Sequence, residues 1–204
     1  MADTHVVPGF LPSTHGLHFA NSFPPGPTIR LGPLDPRLIG LGDASMGLCG
    51  GMCYFVRRRF ETAQPVPEAA TVPENGSELF RSLVREQLRS FRVGVVPMRF
   101  WRLAATTAAK RLARTRDREW PKIRAALDGD RLTMVGLVRH EARNPFKLIG
   151  NHQVVAYGYV VDDGSITLRI YDPNWPNRDD VTVPLDGSGP QSTGEVLLGV
   201  VALD

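Results

Sequence analysis

The sequence predicts an α+β fold in which helices precede an antiparallel sheet, and three observations lead to this prediction. Apolar residues recur at helical spacing between Leu48 and about Leu127, as expected for helices that bury one face. From Arg131 onward, short runs rich in Val, Ile, Leu, Thr and Tyr are separated by turn signals such as Asp163-Gly164. Because the two patterns occupy different parts of the chain, an antiparallel sheet is favoured over alternating βαβ units.

The composition divides the chain into three parts of one domain. Its 204 residues are enough for a full hydrophobic core. Residues 1–40 are rich in proline and contain only short apolar runs, so they are predicted to form an extended arm over the domain. Residues 41–130 are predicted to be the helical half, and residues 131–204 the β half.

Four helices are predicted in the helical half. The first covers residues 48–60, where four apolar side chains recur at helical spacing: Met52, Phe55, Val56 and Phe60. The second begins after Ser77, a suitable N-cap, and ends near residue 92. The third begins at Pro97, which suits a first helical turn, and continues to Leu112. The fourth spans residues 121–127 and stops at a glycine.

Five strands are predicted in the β half. Their residues are 131–140, 153–161, 165–171, 180–185 and 195–203. The pair Asp163-Gly164 is typical of a tight turn, so the second and third of these strands should form a hairpin.

The charge of the chain is unevenly distributed, although its net value is only +3. Residues 77–131 hold most of the Lys and Arg side chains, which suggests either the solvated faces of Arg-rich helices or a surface for an anionic partner. The first interpretation, solvated helices whose apolar faces point inward, is preferred because no nucleic-acid motif accompanies the basic residues. Nucleic acid is therefore not expected as a partner.

Neither a membrane span nor a secretory signal peptide is predicted. No run of 18 apolar residues occurs, and the first 20 residues lack both a basic start and an apolar run. A cytoplasmic location is therefore expected, with export by another route left open. The sequence does not indicate an oligomeric state.

The two cysteines, Cys49 and Cys53, are separated by three residues. A disulfide between them would close almost no loop, so a reduced setting is the simplest interpretation. They cannot complete a zinc site alone, and the histidines at positions 5, 15, 18 and 140 show no ligand spacing. No metal or cofactor is expected.

Cys49 is the candidate nucleophile. It opens the first predicted helix and lies between glycines, in the segment GDASMGLCGGMCYF of residues 42–55. Unpaired N–H groups and the helix dipole lower the pKa of a thiol at such a position, and the same N–H groups can stabilise an oxyanion. Gly50 would let a substrate backbone approach closely. The alternative is a structural cysteine packed at a helix start.

His152 and Asp172 are the candidate base and orienting group. His152 stands at the mouth of an apolar strand, and Asp172 follows the next strand, which the predicted hairpin returns beside it. A carboxylate there can hold the imidazole tautomer and stabilise the imidazolium. Considered alone, the histidine is more typical of a strand-edge residue whose hydrogen bonds are satisfied. The aspartate alone is more typical of a turn residue before proline. Asn174 is the nearest alternative partner for the histidine.

The C-G-G-M-C segment and its hydrophobic continuation resemble the C-G-x-x-C nucleophile helix of the bacteriocin-processing peptidases attached to peptide exporters, members of the papain-like superfamily. The resemblance covers about 40 residues in three patches and implies a papain-like fold with Cys49, His152 and Asp172 as catalytic triad. That family has an oxyanion-hole glutamine six residues before the nucleophile. Asp43 occupies this position here, and an ionised carboxylate donates no hydrogen bond. Two alternatives stay open: Ser45 could donate in its place, or Asp43 could bind something else.

The expected function is therefore that of a cysteine hydrolase, most simply a peptidase that acts on a peptide or protein through a thioester acyl-enzyme. Two alternatives stay open. The triad could serve acyl transfer, as in transglutaminase-like enzymes, or the chain could be a silent papain-like module that binds a peptide or protein partner. The missing glutamine favours the second alternative.

Overall fold

The structure, a computed structural model, describes residues 2–24, 47–91, 95–141, 151–187 and 189–204. Within these residues the helices are Pro12–His15 (α1), Cys49–Glu61 (α2), Glu78–Ser90 (α3), Val95–Ala104 (α4), Ala108–Arg114 (α5) and Trp120–Asp128 (α6). A π-helical turn, Thr115–Glu119, joins α5 to α6. The strands are Asp3–Val6 (β1), Thr133–Val138 (β2), His152–Asp162 (β3), Ser165–Tyr171 (β4), Thr182–Pro184 (β5) and Gly199–Ala202 (β6).

The strands form one antiparallel sheet in the order β5-β4-β3-β2-β6. The central strand β3 is long enough to pair with two partners along the same edge. Its first half pairs with β2, as in Leu137 opposite His152, and its second half pairs with β1, as in Val6 opposite Gly158. The end of β4, the end of β2 and the start of β3 therefore meet at one end of the sheet.

The helices cover the sheet and bury it. Helix α2 packs on β3, α4 and α6 pack on the β2 and β6 region, and α3 lies against α2. Every residue of β2 is buried, as is the first part of β3, which explains why both strands read as nearly continuous apolar runs. The predicted α+β class with an antiparallel sheet is confirmed. Within the described residues, no helix is long and apolar enough to cross a membrane.

Two elements differ from the sequence prediction. The described part of the N-terminal arm contributes β1 and α1, so it is a member of the sheet and more than an extended covering. The predicted third helix is divided into α4 and α5, because Thr107 adopts an extended backbone conformation. The hydroxyl of Thr106 donates to the Leu103 carbonyl at 2.8 Å, which satisfies one acceptor at the end of α4.

The contact between α2 and α3 depends on Gly51. A Cβ atom at this position would collide with the backbone carbonyl oxygen of Leu83. We therefore expect Gly51→Ala to lower the free energy of unfolding by about 1–3 kcal/mol, despite the better helix propensity of alanine. Thermal unfolding measures the effect. Gly129→Ala is the matched control, because a Cβ there meets its nearest neighbour at 3.4 Å, an ordinary contact. Equal melting temperatures for the two variants would contradict the prediction.

Candidate active site

Cys49 is the first residue of α2 and is partly exposed. The turn before it is held by Asn21, whose Oδ1 accepts a hydrogen bond from the Leu48 N–H at 2.6 Å. Gly47 has φ +88°, and a side chain there would overlap the Asn21 amide. The same amide donates through Nδ2 to Asn174 Oδ1 at 3.1 Å. Asn21 thus ties the turn before the nucleophile to the turn that follows β4.

The backbone N–H groups of the first turn of α2 differ in their hydrogen-bond acceptors. That of Met52 bonds within the helix to the Leu48 carbonyl at 2.8 Å, and that of Gly51 donates to the buried Gln87 side chain at 2.6 Å. Among the residues that the structure describes, the Cys49 N–H has no acceptor. An N–H group at a helix start favours negative charge beside it, so this group is a candidate donor to an oxyanion that forms at Cys49.

His152 is the first residue of β3 and is buried. Its Nε2 lies 2.6 Å from Asp172 Oδ1, and its ring is near enough to Cys49 for each group to shift the pKa of the other. Because Nε2 is directed at the carboxylate, Nδ1 is the ring nitrogen left to serve the thiol. Helix α2 is held against β3 at this point by Cys53, whose thiol donates to the Gln153 carbonyl at 3.2 Å.

Asp172 follows β4 directly and is 1 % exposed. In the register of β3 and β4, Tyr171 pairs with Val155, which places Asp172 diagonally across from His152. The carboxylate also accepts hydrogen bonds from the Asn174 backbone N–H at 2.9 Å and from Gln191 Nε2 at 2.7 Å. These donors satisfy a buried charge that would otherwise be costly.

The three groups shift one another toward a thiolate–imidazolium pair. Burial raises the pKa of Cys49, but the hydrogen bond and charge of His152, with the backbone N–H groups of Gln153 and Gly50, bring it below its usual value. Burial lowers the pKa of His152, but Asp172 and Cys49 raise it to about 9. Burial raises the pKa of Asp172, but His152 and the Asn174 and Gln191 donors hold it at about 2.

The pKa of the Cys53 thiol is shifted in the opposite direction to that of Cys49. Cys53 is fully buried, one helical turn beyond Cys49. Burial, together with the negative charges of Cys49 and Asp172, raises the pKa of Cys53 well above its usual value. A buried neutral thiol packs as a small apolar side chain and reacts slowly.

The structure thus brings Cys49, His152 and Asp172 together, and it places the other predicted site residues as follows. Gly50 lies in the first turn of α2, where a Cβ would press on the side chains of Ser90 and Gln153. Its lack of a side chain therefore serves packing. Asn174 contacts Asp172 through its backbone and Asn21 through its side chain, so it does not replace Asp172 at the histidine. Asp43 and Ser45 lie outside the described residues.

Sequence reasoning missed three residues of this site: Asn21, Arg139 and Gln191. Each is a single polar residue in an irregular segment, without a motif or spacing that relates it to Cys49. The only signal was the proximity of Arg139 to the end of a predicted strand, next to the histidine strand. Within the described residues, no group of three or more His, Cys, Asp or Glu side chains is arranged to hold a metal ion.

No protein-family model, curated protein or solved structure matches this chain. The geometry of the site is therefore the basis for assigning a function.

Proposed function

We propose that this chain is a cysteine hydrolase of the papain-like type that cleaves peptides through a thioester acyl-enzyme. The observation that carries the proposal is the convergence of three groups at the N-terminus of α2: His152 Nε2 lies 2.6 Å from Asp172 Oδ1, and His152 lowers the pKa of the Cys49 thiol. A thiol, an imidazole and an orienting carboxylate in this order are the arrangement that activates a cysteine nucleophile. The order of the elements along the chain is consistent with the resemblance to the bacteriocin-processing peptidases.

Acylation begins with the thiolate of Cys49. Its sulfur forms a bond to the substrate carbonyl carbon, and the π electrons of the carbonyl move to oxygen. The Cys49 N–H is the donor that we assign to this oxyanion, since backbone donors fixed before the reaction stabilise developing charge most effectively. As the carbon–nitrogen bond breaks, the His152 imidazolium gives its proton to the leaving amine, which leaves a thioester and a neutral imidazole.

Deacylation restores the starting pair. The neutral imidazole of His152 accepts a proton from a water molecule, whose oxygen attacks the thioester carbon. Collapse of this second tetrahedral intermediate expels the Cys49 thiolate and releases a carboxylic acid. Asp172 stabilises the imidazolium in both steps without taking up its proton.

The proposal is tested first with p-nitrophenyl acetate, which requires no knowledge of the natural substrate. We expect release of nitrophenol with transient acetylation of Cys49, located by mass spectrometry of peptides after an acid quench. Cys49→Ala should abolish both signals, whereas Cys53→Ala should retain them, because Cys53 is buried with a raised pKa. A peptide mixture incubated with the wild type and with Cys49→Ala then identifies cleavages that depend on the nucleophile.

The same experiment separates the competing functions. An acyltransferase would pass the acetyl group to an added amine, such as glycinamide, in preference to water. A silent binding module would be alkylated by iodoacetamide and acetylated at Cys49, but it would release no more than one equivalent of nitrophenol because its thioester would not be hydrolysed. The last result would contradict the proposed function.

A further inference from the structure

Two polar residues hold the side of the Asp172 carboxylate that faces away from the histidine. Gln191 donates through Nε2 to Asp172 Oδ2 at 2.7 Å, while its Oε1 accepts from Arg139 Nη2 at 2.9 Å. The same guanidinium nitrogen lies 3.6 Å from Oδ2. His152 binds the other oxygen, Oδ1. The two oxygens are therefore divided between the ring and the Arg139–Gln191 pair.

Arg139 and Gln191 lie in an enclosed position. The Arg139 side chain is 13 % exposed and Gln191 is 2 % exposed. The Nε of Arg139 is buried and, within the described residues, has no hydrogen-bond partner. A cation in such a place is costly unless carboxylates compensate it, and among the described residues Asp172 and Glu195 interact with it.

The position of Arg139 is itself fixed by the sheet. Arg139 follows β2, and its backbone N–H donates to Asn151 Oδ1 at 3.1 Å, immediately before β3 begins at His152. Gln191 is anchored by its backbone N–H, which bonds to the Glu195 carbonyl at 3.0 Å.

We propose that Arg139 and Gln191 are positioning residues of the active site, which fix the Asp172 carboxylate against the His152 ring and take up part of its negative charge. The proposal rests on the proposed function for its catalytic meaning. Neither residue contacts the reacting atoms; both act through Asp172.

The charge of Arg139 has a defined effect on the catalytic pair. In the part of the chain that the structure describes, the titratable and charged groups near His152 and Asp172 are Cys49 and Cys53 from α2, Tyr171 from β4, Arg139, and, behind Arg139, Glu195. Arg139 is the cation among them, apart from His152 itself when protonated. By its charge it should repel the imidazolium and attract the thiolate, and so lower the pKa of His152 and the pKa of Cys49.

The test is the pH dependence of Cys49 alkylation by iodoacetamide, with His152 followed by ring ¹H–¹⁵N NMR. Removal of the cation in Arg139→Met should move both titration steps upward by about one pH unit, the size expected for one charge a few ångströms away in a partly buried site. Arg139→Lys keeps the charge and should restore most of the shift. Gln191→Leu removes a neutral donor to Asp172 and should give a smaller shift in the same direction.

Unchanged titration steps in Arg139→Met would overturn the proposal, and so would an equal shift in Arg139→Lys, which would make side-chain shape the cause. If Arg139→Met does not fold by circular dichroism, Gln191→Leu decides by the same measurement, and an unshifted profile counts against the proposal. The assay needs no substrate. A chain that fails the p-nitrophenyl acetate test can therefore still show the shift, and the two proposals fail separately.

Discussion

His152→Ala is expected to slow the alkylation of Cys49 at pH 6 by up to about 300-fold. The His152 hydrogen bond and charge are the largest influences that offset burial and lower the pKa of the Cys49 thiol. Without them, Cys49 should behave as an ordinary thiol, which is only about 0.3 % thiolate at pH 6. The full factor applies if the wild-type thiolate is fully formed at that pH. Labelling with iodoacetamide, quenched at a series of times and followed by mass spectrometry, measures the rate.

The matched control for this variant is His140→Ala. His140 is exposed and lies just beyond β2, close in sequence to Arg139 but outside the row of hydrogen bonds. Its loss removes one imidazole from the protein and should leave the labelling rate of Cys49 unchanged. If both variants label as fast as the wild type, the low pKa of Cys49 does not depend on His152, and the assignment of His152 as base is wrong.

Asp172→Asn is expected to lower turnover by about 10- to 1000-fold, with the larger losses at higher pH. The substitution keeps the shape of the side chain but removes the charge that raises the pKa of His152 to about 9. A histidine raised in this way holds its proton below about pH 9 and loses it above. In the variant, that upper limit should fall toward the ordinary value of about 6.5. The pH profile of p-nitrophenyl acetate hydrolysis measures both effects.

Asn174→Ala is the control for Asp172→Asn. The contact of Asn174 with the carboxylate is made by its backbone N–H, which alanine retains, so the position of the pH profile should not change. Within the described residues, loss of the side chain removes the hydrogen bond from Asn21. A shifted profile in Asn174→Ala together with an unshifted one in Asp172→Asn would transfer the orienting role to Asn174.

The chemistry-bearing elements were predictable because local signals fix them. Glycines around Cys49 and the apolar stripe behind it determine a helix that starts at Cys49, and the structure begins α2 there. The Asp163-Gly164 turn determines the hairpin of β3 and β4, which brings Asp172 to His152. Both signals lie within a few residues of the feature that they specify.

The remaining parts of the site were not predictable because long-range packing decides them. β1 is four residues long and mostly polar, so it carries no alternation that would distinguish it from a loop. Arg139 and Gln191 are 52 residues apart and meet only when β2 and the segment before β6 lie side by side. The break between α4 and α5 depends on Thr107, a residue that tolerates both helical and extended backbone.

The pairing of β1 with β3 has a consequence for how the protein is made. β1 is synthesised before its partner residues 158–161, which follow only after helices α1 to α6. At about 5–20 residues per second, the strand waits roughly 10–30 s for its place in the sheet. A short strand that carries Asp3 and His5 is a poor template for pairing with other chains. The polarity of β1, which made the strand unpredictable from the sequence, should therefore limit pairing of the nascent protein with other chains during this delay.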